Sequence, residues 1–412
     1  MNLSPSLGAG GVSRLTVLLE DRERVLCRGW RDDGGGDGTA VLAVLSASEH
    51  PAPAFLDQLA HEYELKDELD GRWAARPLAL VREHGRTMLL LEDPGGEPLY
   101  RLLGRPMEMG RFLRFATGLS AALRQVHERS LIHKDIKPAN VLVDSATGQV
   151  WLTGFCIASR LPRERQALAP PESIAGTLAY MAPEQTGRMN RSVDSRSDLY
   201  SLGVTLYEML TGALPFMASD PMEWVYCHIA KQPVPAAERL KGVPIVVSAI
   251  VSKLLAKTAE ERYQTAAGVE SDLRRCLAQW ELERPLEQRG LAHSPSQGAG
   301  GIGRKRPLSR GGALLRAKTP PAMWLKEFSL GEHDTPDRLL IPEKLYGRER
   351  EIETLLAAFD HVVTSGRPEL VLVFGYSGIG KSAVVNELHK ALVPPRGLFA
   401  AGKFDQYKRD IP

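Results

Sequence analysis

The chain has little cysteine. Cys27, Cys156, Cys227 and Cys276 are scattered over 412 residues, and none forms a C-x-x-C pair. That argues against a disulfide framework or a structural zinc site and suits a reducing compartment. An excess of one charge sign is also missing. Lys and Arg number 52 against 50 Asp and Glu, a formal charge of +2, so no global field draws the chain to nucleic acid or to an anionic membrane. No apolar run reaches the about 20 residues that span a bilayer. Residues 1–11 are polar and Gly/Ser-rich, unlike a secretory leader. The expectation is a cytoplasmic protein with no transmembrane segment and no nucleic-acid partner. Its length allows two or three domains.

What is present begins with His133-Lys134-Asp135-Ile136-Lys137-Pro138-Ala139-Asn140. The stretch resembles the catalytic loop of protein kinases. The resemblance implies that Asp135 would accept the proton of a substrate hydroxyl, that Lys137 would neutralise charge on a moving phosphoryl group and that Asn140 would hold a Mg²⁺ ion. Gly176-Thr177-Leu178-Ala179-Tyr180-Met181-Ala182-Pro183-Glu184 resembles the end of a kinase activation segment, and Ser197-Asp198-Leu199-Tyr200-Ser201-Leu202-Gly203 the start of the large helix of the C-lobe. Lys137 and Thr177 mark the serine/threonine class. The resemblance implies three structural residues: Glu184 pairs with Arg262 in a buried ion pair, and Asp198 accepts hydrogen bonds from the catalytic-loop backbone.

The surrounding pattern fits. Residues 1–13 read as a disordered leader. Apolar runs at 15–19, 25–27, 40–45 and 88–91 read as strands, and Phe55, Leu59 and Tyr63 share one helical face. Glu92-Asp93 with Gly95-Gly96 reads as a hinge. Leu113, Ala116, Leu119, Leu123 and Val126 step at helical spacing, and residues 141–143 and 150–152 flank a hairpin turn. The expected fold is α+β: a two-lobed kinase-like domain over 14–281 (N-lobe 14–96, C-lobe 97–281), then the first βα unit of an α/β P-loop NTPase. Between them, 282–322 is a flexible basic linker, rich in Gly, Ser, Pro and Arg. Residues 323–412 are the N-terminal part of the ATPase domain.

That last assignment rests on Gly375-Tyr376-Ser377-Gly378-Ile379-Gly380-Lys381-Ser382, a G-x-x-x-x-G-K-[ST] loop. An apolar run at 370–374, read as a buried strand, precedes it, and a helix over 383–392 follows. Gly375, Gly378 and Gly380 free the backbone to cradle phosphates. Lys381 would reach the terminal phosphates of ATP, and the Ser382 hydroxyl would ligate Mg²⁺.

Three further absences fall inside the kinase-like site. The first hairpin turn, Glu20-Asp21-Arg22-Glu23-Arg24, has no glycine to cover phosphates; Gly34-Gly35-Gly36 comes one hairpin later. The third strand has no lysine, and alignment places Ala43 at that position. Glu62, the helix partner of such a lysine, is then a solvated or locally paired acid. Thr153-Gly154-Phe155-Cys156 stands where D-F-G is expected, so the metal-binding carboxylate is missing. Phosphoryl transfer depends on positioning and electrostatics, and these losses strike both.

The kinase-like part followed by Leu345-Tyr346-Gly347-Arg348-Glu349 and the phosphate loop resembles the large bacterial signalling proteins that join a serine/threonine kinase domain to an AAA/STAND-type ATPase. Phe328-Ser329-Leu330-Gly331-Glu332-His333-Asp334 and Gly402-Lys403-Phe404-Asp405-Gln406-Tyr407 resemble recurring segments of that family. The resemblance implies signal transduction, with sensor and histidine kinase domains downstream in longer members. The ATPase portion present is short of a complete domain, which reads as a fragment or a truncation. Two functions follow from the residues. One is a catalytically weak or pseudokinase module that docks a regulatory partner. The other is an active kinase that transfers the ATP γ-phosphoryl group to a protein substrate, with Asp135 as base.

Overall fold

The computed structural model describes residues 12–31, 38–83, 86–160, 176–189, 191–283, 325–336, 347–376 and 380–386. Gly34–Gly36, the linker 284–322, Gly378 and Gly402–Tyr407 lie outside them.

The N-lobe is a five-stranded antiparallel sheet in the order β1-β2-β3-β5-β4. Its strands are β1 (Val12–Glu20), β2 (Arg24–Arg31), β3 (Thr39–Ser46), β4 (Pro77–Glu83) and β5 (Arg86–Glu92). Val12 is fully buried, so Val12 and Ser13 belong to β1 and not to a leader. Alternation along the strands splits the sheet into two faces. One gathers Val25, Cys27, Val41, Ala43, Met88 and Leu90. The other gathers Leu26, Leu42, Val44, Leu89 and Leu91 against Leu59 of α1 (Pro53–Glu64). β4 opens on Pro77 at the sheet edge, where a missing N–H costs no ladder bond; the sequence reading passed over it.

In the C-lobe, α2 (Met109–Glu128) is capped by the Glu108 carboxylate, which accepts from the amides of Gly110 (2.9 Å) and Arg111 (2.8 Å). Its buried stripe runs through Phe112, Leu113, Phe115, Ala116, Leu119, Leu123 and Val126, the expected face. β6 (Glu97–Pro98), β7 (Val141–Val143) and β8 (Val150–Leu152) form a small sheet in that order. α3 (Ser195–Thr211) starts at a capping box of Asp194 with Ser197 and is buried along most of its length. It ends at Gly212, where φ is +75° and a Cβ would lie 2.7 Å from Arg105 backbone, so only glycine fits. The shell is completed by α4 (Pro221–Ile229), α5 (Ala236–Arg239), α6 (Ile245–Leu254) and α7 (Ala266–Glu283). Among the described residues no helix is long and apolar enough to cross a membrane.

Residues 325–336 were assigned with the ATPase part, yet they pack on the C-lobe. Leu325 is buried in the C-lobe core, with Phe328 and Leu330 packed beside it. The Asp334 carboxylate accepts from the amides of Gln264 (2.7 Å) and Thr265 (2.8 Å) ahead of α7. Arg275 sits over the Phe328 ring and pairs with Glu332 at 3.0 Å.

The ATPase part contributes α8 (Glu349–Ser365) and α9 (Lys381–Asn386). Residues 370–374 are not the buried strand expected. They form no strand, and Leu370, Leu372 and Phe374 are 82%, 76% and 92% exposed. Among the described residues no neighbouring strand supplies the hydrogen bonds and apolar cover that a central strand needs. In hydrogen exchange on the 412-residue chain, the amides of 371–374 should exchange as fast as an open chain while those of α3 stay protected. Strong protection at 371–374 would contradict this picture.

Candidate functional site

The catalytic-loop stretch lies between α2 and β7, and α3 holds it from beneath. The fully buried Asp198 carboxylate accepts from the backbone amides of His133 and Lys134, both at 2.8 Å, and lies 3.0 Å from His127 Nε2. Those bonds hold Lys134 at φ +66°, a region that costs a residue with a Cβ. His133 is buried, 3.0 Å from the Thr153 carbonyl and against Phe155. Burial pushes its pKa below the ordinary value, more than the nearby carboxylates raise it.

The structure brings Asp135, Lys137 and Asn140 together as expected. The Lys137 ammonium is 2.7 Å from Asp135 Oδ2 and also donates to Thr177 Oγ1. The Thr177 amide donates to Asp135 Oδ1 at 3.2 Å. Burial opposes ionisation of Asp135, but the Lys137 ammonium, helped by Arg24 and His133, offsets it and holds the carboxyl below its usual range. The Asn140 amide nitrogen donates to Asp135 Oδ2 at 2.9 Å and to the Asp135 carbonyl at 2.7 Å. Below, Glu184 and Arg262 form the predicted pair. Arg262 Nη1 and Nη2 lie 2.6 and 2.9 Å from the two carboxylate oxygens, and both side chains are buried.

Among the described residues no other group stands in for the strand lysine or the D-F-G carboxylate. Gly154 has φ +77°, and a Cβ there would lie 2.8 Å from Asn140 Cγ; the Asn140 amide fills the room a side chain at 154 would need. On β3 the alignment shifts by one. Ala43 faces away from α1, in the cluster of Cys27 and Leu90, so Leu42 and Val44 are the β3 residues on the α1 face. Neither is cationic. Glu62 is not solvated: it is 1% exposed, and its Oε2 accepts from Cys156 Sγ at 2.9 Å. Its Oε1 has no partner among the described residues. Burial and the Glu62 carboxylate drive the Cys156 thiol well above its ordinary pKa.

Arg24 also enters the site. It begins β2, on the same sheet face as Leu26 and Arg28, and its guanidinium donates to Asn140 Oδ1, the oxygen assigned to a metal. Arg28 reaches the hinge, 3.0 Å from Asp93 Oδ1 and 2.8 Å from the Gly96 carbonyl. Strand periodicity was the available signal: two arginines four residues apart share a face.

In the ATPase part, Lys381 Nζ donates to the carbonyls of Gly375 and Tyr376, both at 2.8 Å. The lysine is thus held by the carbonyls at the start of the loop. Gly375 and Gly380 have φ +154° and +93°. Ser382 opens α9 with Lys381.

A curled sheet beside a helical lobe, with a catalytic loop between them, defines a kinase fold. The protein kinase domain family matches residues 42–273, and the chain belongs to that family. An AAA ATPase domain matches residues 344–412, giving the kinase-then-ATPase order. The serine/threonine-protein kinase PknB of Mycobacterium leprae is 38% identical over 317 residues, 75% of this chain and 48% of its own length. The hybrid signal transduction histidine kinase G of Dictyostelium discoideum is 34% identical over 233 residues, 57% of this chain and 6% of that protein. PksC of Streptomyces coelicolor, a serine/threonine-protein kinase, is 31% identical over 218 residues, 52% of this chain and 39% of its own. The chain thus spans less than half the length of each of these relatives.

Proposed function

We propose that the kinase-like domain is a catalytically weak or pseudokinase module. In this reading it docks a regulatory partner and controls the attached ATPase segment. One observation carries it: the cleft faces the catalytic loop without an ammonium on β3, without a carboxylate at 154 and with Asn140 Oδ1 engaged by Arg24. Family members use ATP and Mg²⁺, with two metal ions bridging the phosphates. Among the described residues the kinase-like cleft offers Asn140 alone of the usual metal ligands, so its residues do not fit that arrangement. The phosphate loop is a separate matter. There Gly375, Gly378, Gly380, Lys381 and Ser382 would hold ATP, with Ser382 on Mg²⁺, once the rest of an ATPase core surrounds them.

The alternative, transfer of the γ-phosphoryl group to protein hydroxyls, is favoured by the intact Asp135, Lys137 and Thr177 arrangement. A phosphotransfer assay separates the two. The 412-residue chain carrying Lys381→Ala, so that nucleotide chemistry comes from the kinase-like cleft, is incubated with ATP, Mg²⁺ and generic protein substrates. Transfer to itself or to substrate should stay at background. Robust transfer that disappears in Asp135→Ala would establish the active kinase instead.

A further inference from the structure

The turn between β1 and β2 is closed by its own side chain. Asp21 Oδ1 accepts from the amides of Glu23 and Arg24, both at 2.9 Å, and the Asp21 amide donates to the Arg24 carbonyl at 3.0 Å. These are amides of the turn that covers the phosphates in an ATP-using kinase, and a carboxylate of the chain occupies them. The other half of the substitution is Arg24. A guanidinium rests on the one metal-ligand oxygen the catalytic loop retains, and its side chain is only 14% exposed.

The same hairpin is fastened elsewhere. β1 breaks register between Val17 and Leu19. At that bulge the Leu18 carbonyl accepts from Tyr100 Oη (2.8 Å) and Arg101 Nη2 (2.6 Å) beyond the hinge. Between these ties, Leu18, Leu26 and Leu42 of the N-lobe share one buried cluster with Leu142 of the C-lobe. The two lobes therefore meet through an apolar layer with a polar tie on either side.

We infer that Asp21 and Arg24 are a built-in substitute for phosphate and metal, and that they hold the β1–β2 hairpin shut on the catalytic loop without nucleotide. This rests on the regulatory reading above and adds the device that keeps the cleft closed. The hairpin reports the state of the catalytic loop through Arg24 and Asn140, so a partner that binds either element meets both in one arrangement.

A double-mutant cycle tests it. Hydrogen exchange is followed across the hairpin amides of residues 16–26 in the 412-residue chain, in its parent form and as Arg24→Ala, Asn140→Ala and the double variant. Each single change should speed exchange about tenfold, and the double should be no faster than the faster single, because either change removes the Arg24–Asn140 contact that joins hairpin to loop; the bonds each residue keeps besides, Arg24 to Asp21 at 3.5 Å and Asn140 to Asp135, lie within one element. Arg24→Lys, which keeps the charge and shortens the reach, should fall between parent and Arg24→Ala. If the single effects multiply to about a hundredfold in the double, or if neither single moves the hairpin, the latch is wrong. Kinase turnover in the parent chain would instead overturn the regulatory reading and leave the outcome of the cycle as it stands.

Discussion

Replacing Arg262 with alanine should destabilise the kinase-like domain by about 3–5 kcal/mol, because it leaves Glu184 as an uncompensated buried charge. For a domain of this size that is a fall in Tm of about 6–20 °C. The prediction concerns the break, not the worth of the pair. Ser197 Oγ also donates to Glu184 Oε1 at 2.7 Å, and the Ala256, Lys257 and Arg196 carbonyls accept from Arg262. A matched apolar replacement, Glu184→Leu with Arg262→Met, removes the buried charge together with its partner and should cost less than Arg262→Ala alone, although the three carbonyls lose their donor in both. The sign with pH follows from the same pair. Burial raises the Glu184 pKa, but Arg262 lowers it further, and the folded value lies below the ordinary 4.5. The stabilisation is complete above that ordinary value and is lost as pH falls through the depressed folded value. Arg262→Ala should abolish this acid-side loss. An unchanged Tm in Arg262→Ala would show that the pair carries none of the C-lobe's stability.

The second large effect belongs to Asp198→Ala. Two backbone amides, of His133 and Lys134, lose their acceptor, and His127 loses its partner. Each buried unpaired donor costs about 1–3 kcal/mol, and Lys134 is left at positive φ without the bonds that hold it. The urea midpoint should fall at unchanged m, by the equivalent of about 2–5 kcal/mol. Asp198→Asn keeps one acceptor oxygen and should lose roughly half as much. If exchange at residues 132–136 is unmoved in Asp198→Ala, the carboxylate does not anchor the loop.

Much of this architecture is written in local sequence. The α2 stripe is legible because it depends on residue identity at fixed spacing, whereas the catalytic loop and the Glu184–Arg262 pair, whose members lie 78 residues apart, are legible through the resemblance to protein kinases. The β3 alignment slipped because a period of two makes a one-residue shift reverse the sheet face; only pairing with β2 and β5 shows that Ala43 points away from α1. Glu62 reads as solvated or locally paired, and the choice between the two is not legible because its partner Cys156 is 94 residues away. Arg24 was invisible as a functional residue because its partner Asn140 is 116 residues away. The exposed run at 370–374 shows the opposite failure: its composition is that of a central strand, but a strand is made by its neighbours.

The docking of residues 325–336 on α7 changes what the long linker can do. The chain leaves the C-lobe at Glu283 and is back on it by Leu325, so the same body holds both ends of the stretch between them. The distance between the kinase-like domain and α8 is instead bounded by residues 337–348, which at about 3.3–3.6 Å per residue reach no more than about 43 Å. Insertions in the basic stretch can therefore accumulate without loosening the leash on the ATPase segment. Its effective concentration at the C-lobe is governed by the short stretch after Pro336, and Asp334, at the α7 terminus, is the peg to which that leash is tied.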